Sequence, residues 1–423
     1  MPNEKDQNLS PDEEPEEKKY SFLQETIKPK PVSRQQLARQ IARIAIYGVV
    51  LGAFACLGFF ALKPWMQDVF RGDLETVSIP EDEEQDEATE EAETEPADPV
   101  LDAESYEEIM ASLNERAQEA KRGTAYVQPV SENGSWDERM TGISAGAAGV
   151  IMADNGQELL ILADSSVSGD AEAWTVTFQD SGTYAASLKR RDLNSGLAVF
   201  SVPRADIEDS TWSSIKVSVL GNSNQTRQGS AVMAIGDMFG YGDGVSCGIV
   251  SSIDYKETFF DRDCDIIATD IPVNEGGTGI LFNLDGEVIG MISPSVWEDA
   301  GSGTANAFAI SDLKSVIEIL ANDESVPYIG IYGTTVTADL QEQGMPAGIY
   351  VVDVDPESPA MEAGIQSGDI ICEAAREKVA SLGSYQSAVL KSKKGDMIKI
   401  RGQRRGADGY VDVDFTVTVG SRE

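Results

Sequence analysis

The chain has 423 residues, 41% hydrophobic and 25% charged, which is too long for one core and suits two globular domains with tails. Asp and Glu number 72 against 33 Lys and Arg, a net charge of −39, so binding to the polyanionic backbone of DNA or RNA is set aside. Histidine is absent, and no imidazole can act as general base, proton shuttle or metal ligand.

Residues 1–43 are polar, interrupted by Pro11, Pro15, Pro29 and Pro31, and without hydrophobic period. They read as a disordered tail. Residues 44–62 form an uncharged apolar run bracketed by Arg43 and Lys63, with Trp65 at the expected interface. At ~1.5 Å per residue this run crosses the ~30 Å hydrocarbon core, and it is predicted to be a transmembrane helix. It starts too far into the chain for a signal peptide, and no small-residue cleavage site follows at once. Lys28, Lys30, Arg34, Arg39 and Arg43 precede it, while only Lys63 and Arg71 follow before a long acidic stretch. The excess of positive charge places the N-terminus in the cytoplasm and the bulk of the chain outside a single-pass cell-membrane anchor.

Residues 63–125 read as an acidic linker. From 75 to 108 there is no Lys or Arg, so the segment repels itself and extends as a solvated spacer; weak binding of cations or of a basic partner is the alternative. A short helix is expected near 105–122. From 126 to 323 short apolar runs (173–178, 197–202, 231–235, 247–253) are separated by Gly, Asn and Asp turns, the texture of barrels or a sandwich. Residues 311–321 read as a closing amphipathic helix. A second unit, 326–423, is again mostly strands, with helices near 358–364 and 384–391. Cys56 and Cys372 lack metal-ligand spacing, and no metal or cofactor is expected. Cys247 and Cys264 lie at the two ends of a predicted hairpin. Outside the membrane they could pair as a disulfide; two free thiols in strands is the equal alternative.

Three stretches taken together resemble the HtrA/DegP family of trypsin-like serine proteases. They are AIGDMFG from Ala234 with GIVS from Gly248; Thr269-Asp270 with NEGGTG from Asn274 and NLDGEVIG from Asn283; and AFAI from Ala307, which opens a helix. The resemblance runs over roughly residues 140–420 and implies two six-stranded β-barrels with an active-site cleft between them. The family's chemistry needs a Ser nucleophile, a His base and an orienting Asp. Here LADSSV from Leu162 puts Ser166 at the His position, and GLAV puts Gly196 at the Asp position. GGTGI puts Thr278 at the Ser position, in a loop one residue short around Gly276 and Gly277, which alters the oxyanion donors. The resemblance therefore implies a degenerate site. A Thr278 nucleophile with a lysine base, such as Lys189 or Lys256, is the alternative to Thr278 as a turn residue.

The second unit resembles a PDZ domain. Tyr328-Ile-Gly-Ile331 matches that family's carboxylate-binding loop, ESPAMEAGI from Glu357 with SGDII from Ser367 matches its signature, and Lys394-Gly-Asp396 precedes a strand. The resemblance implies that Tyr328, Ile329, Gly330 and Ile331 offer exposed backbone N–H groups to a terminal carboxylate while the peptide adds as a strand. The expected fold is mainly β: a trypsin-like double barrel plus an α+β PDZ domain. The expected function is a membrane-anchored extracytoplasmic pseudoprotease that binds polypeptide segments or C-termini, in envelope protein quality control or as a scaffold. Two alternatives stand beside it. One is an active endopeptidase of misfolded envelope proteins. The other is a non-catalytic subunit associated with an active HtrA protease, in a family that is commonly trimeric.

Overall fold

Antiparallel pairing organises nearly everything after residue 123. The structure, a computed structural model, describes residues 76–80, 82, 103–130, 146–169, 171–296 and 303–423. β1 (Thr124–Pro129), β2 (Ala147–Asp154), β3 (Glu158–Asp164), β4 (Trp174–Phe178), β5 (Thr183–Asp192) and β6 (Leu197–Pro203) close into a barrel in the order β1-β2-β3-β6-β5-β4. β7 (Ala231–Asp237), β8 (Gly244–Phe259), β9 (Arg262–Pro272), β10 (Thr278–Phe282), β11 (Val288–Ile292) and β12 (Thr304–Ala309) close a second, in the order β10-β11-β12-β9-β8-β7.

β3 shows why these runs are apolar on both faces. Successive strand residues point to opposite sides. Leu159, Ile161 and Ala163 join one core cluster with Ala198 and Phe200. Leu160 and Leu162 join another with Met233, Ile235 and Phe282 of the second barrel, so one face fills its own barrel and the other seals the seam. The helix Ile310–Ala321 closes that seam with Ile310, Leu313, Val316, Ile317 and Leu320, at the three- and four-residue spacing of one helical face.

Part of the acidic linker is not a free spacer. Val77 and Ile79 pack against this same cluster. The Val77 N–H donates to Asn322 Oδ1 at 3.0 Å, Asn322 Nδ2 donates to the Val77 carbonyl at 2.9 Å, and Lys314 pairs with Asp82 at 2.6 Å. Two apolar residues within the acidic run, plus one buried cation to receive Asp82, outweigh the self-repulsion locally. The expected linker helix runs over Ala103–Lys121, with Ala117 and Ala120 buried.

The second unit is a six-stranded sheet of β13 (Ile331–Thr335), β14 (Ile349–Val354), β15 (Ile370–Ala374), β17 (Met397–Gly406) and β18 (Gly409–Thr418), with β16 (Glu377–Lys378) paired to β15. Helix Pro359–Glu362 starts with proline after the cap Ser358, whose Oγ accepts the Met361 N–H. Helix Leu382–Leu390 is fixed by a reciprocal capping box between Ser381 and Ser384.

Cys247 and Cys264 are not paired: the described cysteines Cys247, Cys264 and Cys372 are all free thiols. β8 extends well past residue 253. Cys264 therefore faces Glu257 while Cys247 faces Met233, ten residues further along β8. At ~3.3 Å per strand residue that separation far exceeds the ~6 Å Cα distance of a disulfide. The apolar run 44–62 lies outside the described residues, and no described helix is long and apolar enough to cross a membrane.

Candidate functional site

The three positions aligned with a catalytic triad gather at the seam between the barrels. β3 ends at Asp164, and a single turn Ser165–Ser168 presents Ser166 to solvent, with Asp164 Oδ1 accepting the Ser166 N–H at 2.9 Å. The Ser165 N–H donates to the Gly196 carbonyl at 2.8 Å, which sets the two loops side by side. Thr278 begins β10, is only 3% exposed, and its Oγ accepts the Ala148 N–H of β2 at 2.8 Å. β10 pairs with β11 at Gly279 and Ile292, one residue inside Thr278 and Ser293. Ser293 donates to Asp164 Oδ2 at 2.5 Å and shares a 2.7 Å hydrogen bond with Ser295.

None of these groups supplies a strong base. The Thr278 oxygen accepts a backbone N–H from the opposite barrel, and no histidine stands beside it. Lys189 is paired with Glu158 at 2.7 Å and Lys256 with Asp265 at 2.5 Å. The hydrogen bond that the Lys256 ammonium donates to Asp265 holds its pKa above the ordinary value, opposite to what a lysine base needs. Behind the seam Tyr126 donates to Asp237 Oδ2 at 2.8 Å, and burial pushes its phenol well up. Asp237 pairs with Thr278 in the sheet, and its other oxygen is buried without a partner. In the turn before β10, formed by Gly276 and Gly277, the Gly277 N–H is engaged by the Asn274 carbonyl at 3.0 Å. Gly196 sits at φ +70°, a conformation that costs a residue with a side chain ~1–2 kcal/mol. Among the described residues no cluster of three or more His, Cys, Asp or Glu could hold a metal. The sequence reading found Ser166, Gly196 and Thr278. It missed Asp164, Ser293 and Ser295, for which the only signal was a capping-type Asp two residues before Ser166.

The PDZ loop corrects an expectation: its N–H groups are not exposed. Gly330, at φ +92°, turns the chain so that successive N–H groups converge, and a side chain there would collide with Ser358. Ile329 and Gly330 donate to Asp261 Oδ2, both at 2.7 Å, and Ile331 donates to Asp261 Oδ1 at 3.0 Å. The Tyr385 hydroxyl adds a fourth donor to Oδ1 at 2.8 Å. The Asp261 N–H in turn donates to the Ile331 carbonyl at 2.7 Å. Tyr328 is apart from this set: its N–H bonds Gly420 at 2.9 Å and its hydroxyl donates to Asp355. Asp261 lies in the tight turn between β8 and β9, buried, at φ +65°. Burial pushes its carboxyl up, against the pull of the surrounding donors. Phe260 beside it meets Tyr328 and Tyr332 edge-on at 6.2 and 6.1 Å, and Asn194 Nδ2 donates to its carbonyl at 2.8 Å.

Two closed barrels meeting at such a seam, followed by a sheet domain with a converging N–H loop, define a trypsin-like peptidase domain joined to a PDZ domain. Family models agree: a trypsin-like peptidase domain matches residues 147–291 and a PDZ domain residues 327–415. A Halomonas elongata protein named as a probable periplasmic serine endoprotease, DegP-like, is 30% identical over 282 residues, 64% of this chain and 56% of that protein. Serine protease Do-like HtrB of Bacillus subtilis is 28% identical over 289 residues, 64% of this chain and 62% of that protein. The chain thus spans little more than half the length of these relatives. A solved structure of the HtrA-type protease AlgW with a tripeptide superposes with a TM-score of 0.52 at 24% identity, over 74% of this chain and 97% of that one, a likeness of fold. The chain carries an HtrA/DegP-like, trypsin-like serine protease domain with a C-terminal PDZ domain.

Proposed function

We propose that this protein is a membrane-anchored, extracytoplasmic polypeptide-binding protein that keeps the HtrA body plan without its peptidase chemistry. The reading rests on Thr278. It stands where the nucleophile belongs, yet it is buried and its oxygen accepts the Ala148 N–H, in a chain with no histidine. General-base help is worth ~10²–10⁴ in rate, and nucleophile, base and orienting carboxylate act as a unit. With the imidazole missing, the hydroxyl proton lacks the family's base at the moment of attack, and the carboxylate opposite, Asp237, already accepts from Tyr126. Anchoring is supported by the apolar run 44–62 and the basic residues before it. Polypeptide binding is supported by the PDZ loop, which presents three backbone N–H groups to a carboxylate. A role in envelope protein quality control is in keeping with the DegP-like name of the Halomonas relative.

The test is hydrolysis of an unfolded protein by the detergent-solubilised full chain between pH 5 and 9. No cleavage above a buffer control is expected. Cleavage that disappears in Thr278→Ala would establish the rival reading, an active endopeptidase. Sedimentation of the same sample reports whether the chain forms a trimer, and co-purification reports whether it associates with an active HtrA-type protease.

A further inference from the structure

We propose that the turn between β8 and β9 is a built-in ligand of the PDZ loop: Asp261 closes the carboxylate site, and a polypeptide with a free C-terminus binds there by displacing it. This rests on the reading of the PDZ domain as a polypeptide-binding module and adds its regulation.

The turn presents what a peptide terminus presents. A C-terminus offers a carboxylate to converging N–H groups and strand-type hydrogen bonds to the sheet edge. Asp261 offers its carboxylate to the N–H groups of Ile329, Gly330 and Ile331, and its own N–H to the carbonyl of Ile331. Tyr385, from the helix that forms the other wall of the groove, closes the site from that side through its hydroxyl. Both ligands are carboxylates, and the donors can serve one at a time, so the two occupancies exclude each other.

The geometry also favours a contact that can open. Asp261 is a non-glycine residue held at φ +65°, a conformation that persists where the surroundings impose it. It sits at the end of a hairpin whose stretch from Asp254 to Lys256 is exposed, while Phe259, two residues before it, is packed on Phe308 of the barrel core at 5.3 Å, so the part that withdraws is the turn Phe260–Asp261 alone. Opposing this, Phe260 packs on Tyr328 and Tyr332, Arg422 lies 5.5 Å over the Phe260 ring, and buried Arg262 pairs with Asp192 at 2.9 Å. These contacts make the closed state the dominant one. An apparent dissociation constant is the intrinsic one divided by the open fraction, and minor states are commonly populated at ~0.1–10%. Removing the Asp261 carboxylate should therefore tighten binding by about tenfold or more.

The test uses the detergent-solubilised full chain, immobilised, and a randomised decapeptide mixture made once with free C-termini and once amidated. Asp261→Gly deletes the carboxylate and suits the left-handed turn. It should retain about tenfold or more free-acid peptide than the native protein, and neither should retain the amidated mixture. Amide exchange at Ile329, Gly330 and Ile331 should be slow in the native protein and fast in Asp261→Gly. Equal, amidation-sensitive retention by both proteins would overturn the closure while leaving the polypeptide-binding reading intact. Retention by neither would overturn both. Should Asp261→Gly fail to fold, Phe260→Ala, which removes the ring packed on Tyr328 and Tyr332 and leaves every carboxylate donor in place, must still raise retention by a smaller factor; unchanged retention contradicts the closure.

Discussion

Replacing Thr278 by valine removes the oxygen that accepts the Ala148 N–H and leaves that buried donor unsatisfied. Such a loss costs ~1–3 kcal/mol, measurable as a lower urea midpoint with unchanged slope, whereas Thr278→Ser keeps the acceptor and should change little. Thr278→Ser should also produce no hydrolysis, because a serine hydroxyl here still lacks a base. A result in which Thr278→Val is as stable as the native protein would show that the hydroxyl does not bridge the barrels. Gly196→Asp puts back the aligned carboxylate but forces a side chain onto φ +70°. It should destabilise by ~1–3 kcal/mol in the same assay. No change would mean that the backbone relaxes freely. The three aligned positions were legible because each sits in a motif with fixed neighbours. Asp261 was not, because nothing around a lone Asp in a polar turn says which distant loop it will meet.

At the scale of elements, the docked piece of the linker offers a clean test. Asn322 bonds Val77 through both its carbonyl oxygen and its amide nitrogen. Asn322→Ala should release residues 76–82 and speed limited proteolysis there, while the fold beyond residue 123 remains. An unchanged cleavage pattern would mean that Val77 and Ile79 hold the segment by packing alone. Helix positions were read from sequence to within a few residues: the expected 311–321 and 384–391 became Ile310–Ala321 and Leu382–Leu390. Their apolar spacing and capping residues are local signals. β8 was read as ending near Ile253 because the apolar run stops there and Asp254, Tyr255, Lys256 and Glu257 carry no alternating apolar pattern. Their strand conformation comes from pairing with β9, from Tyr255 opposite Ile266 to Phe259 opposite Arg262, and such pairing has no local signature. That missed extension is what carries Asp261 to the PDZ loop and what keeps Cys247 and Cys264 apart.

Across the whole molecule, the double barrel and the PDZ domain were legible because their turn glycines and strand ends form ordered motifs. The contact between the domains was not, since it depends on tertiary pairing. The proposed topology predicts that protease added to protoplasts removes everything after residue 63 and spares residues 1–43. Protection of the PDZ domain would reverse the orientation. The central claim is the missing nucleophile chemistry, and covalent labelling by a fluorophosphonate probe tests it most directly, because such probes report an activated hydroxyl whatever the substrate. The account predicts an unlabelled full chain by intact mass across pH 5 to 9. A single adduct located on the peptide containing Thr278, and lost in Thr278→Ala, would contradict it.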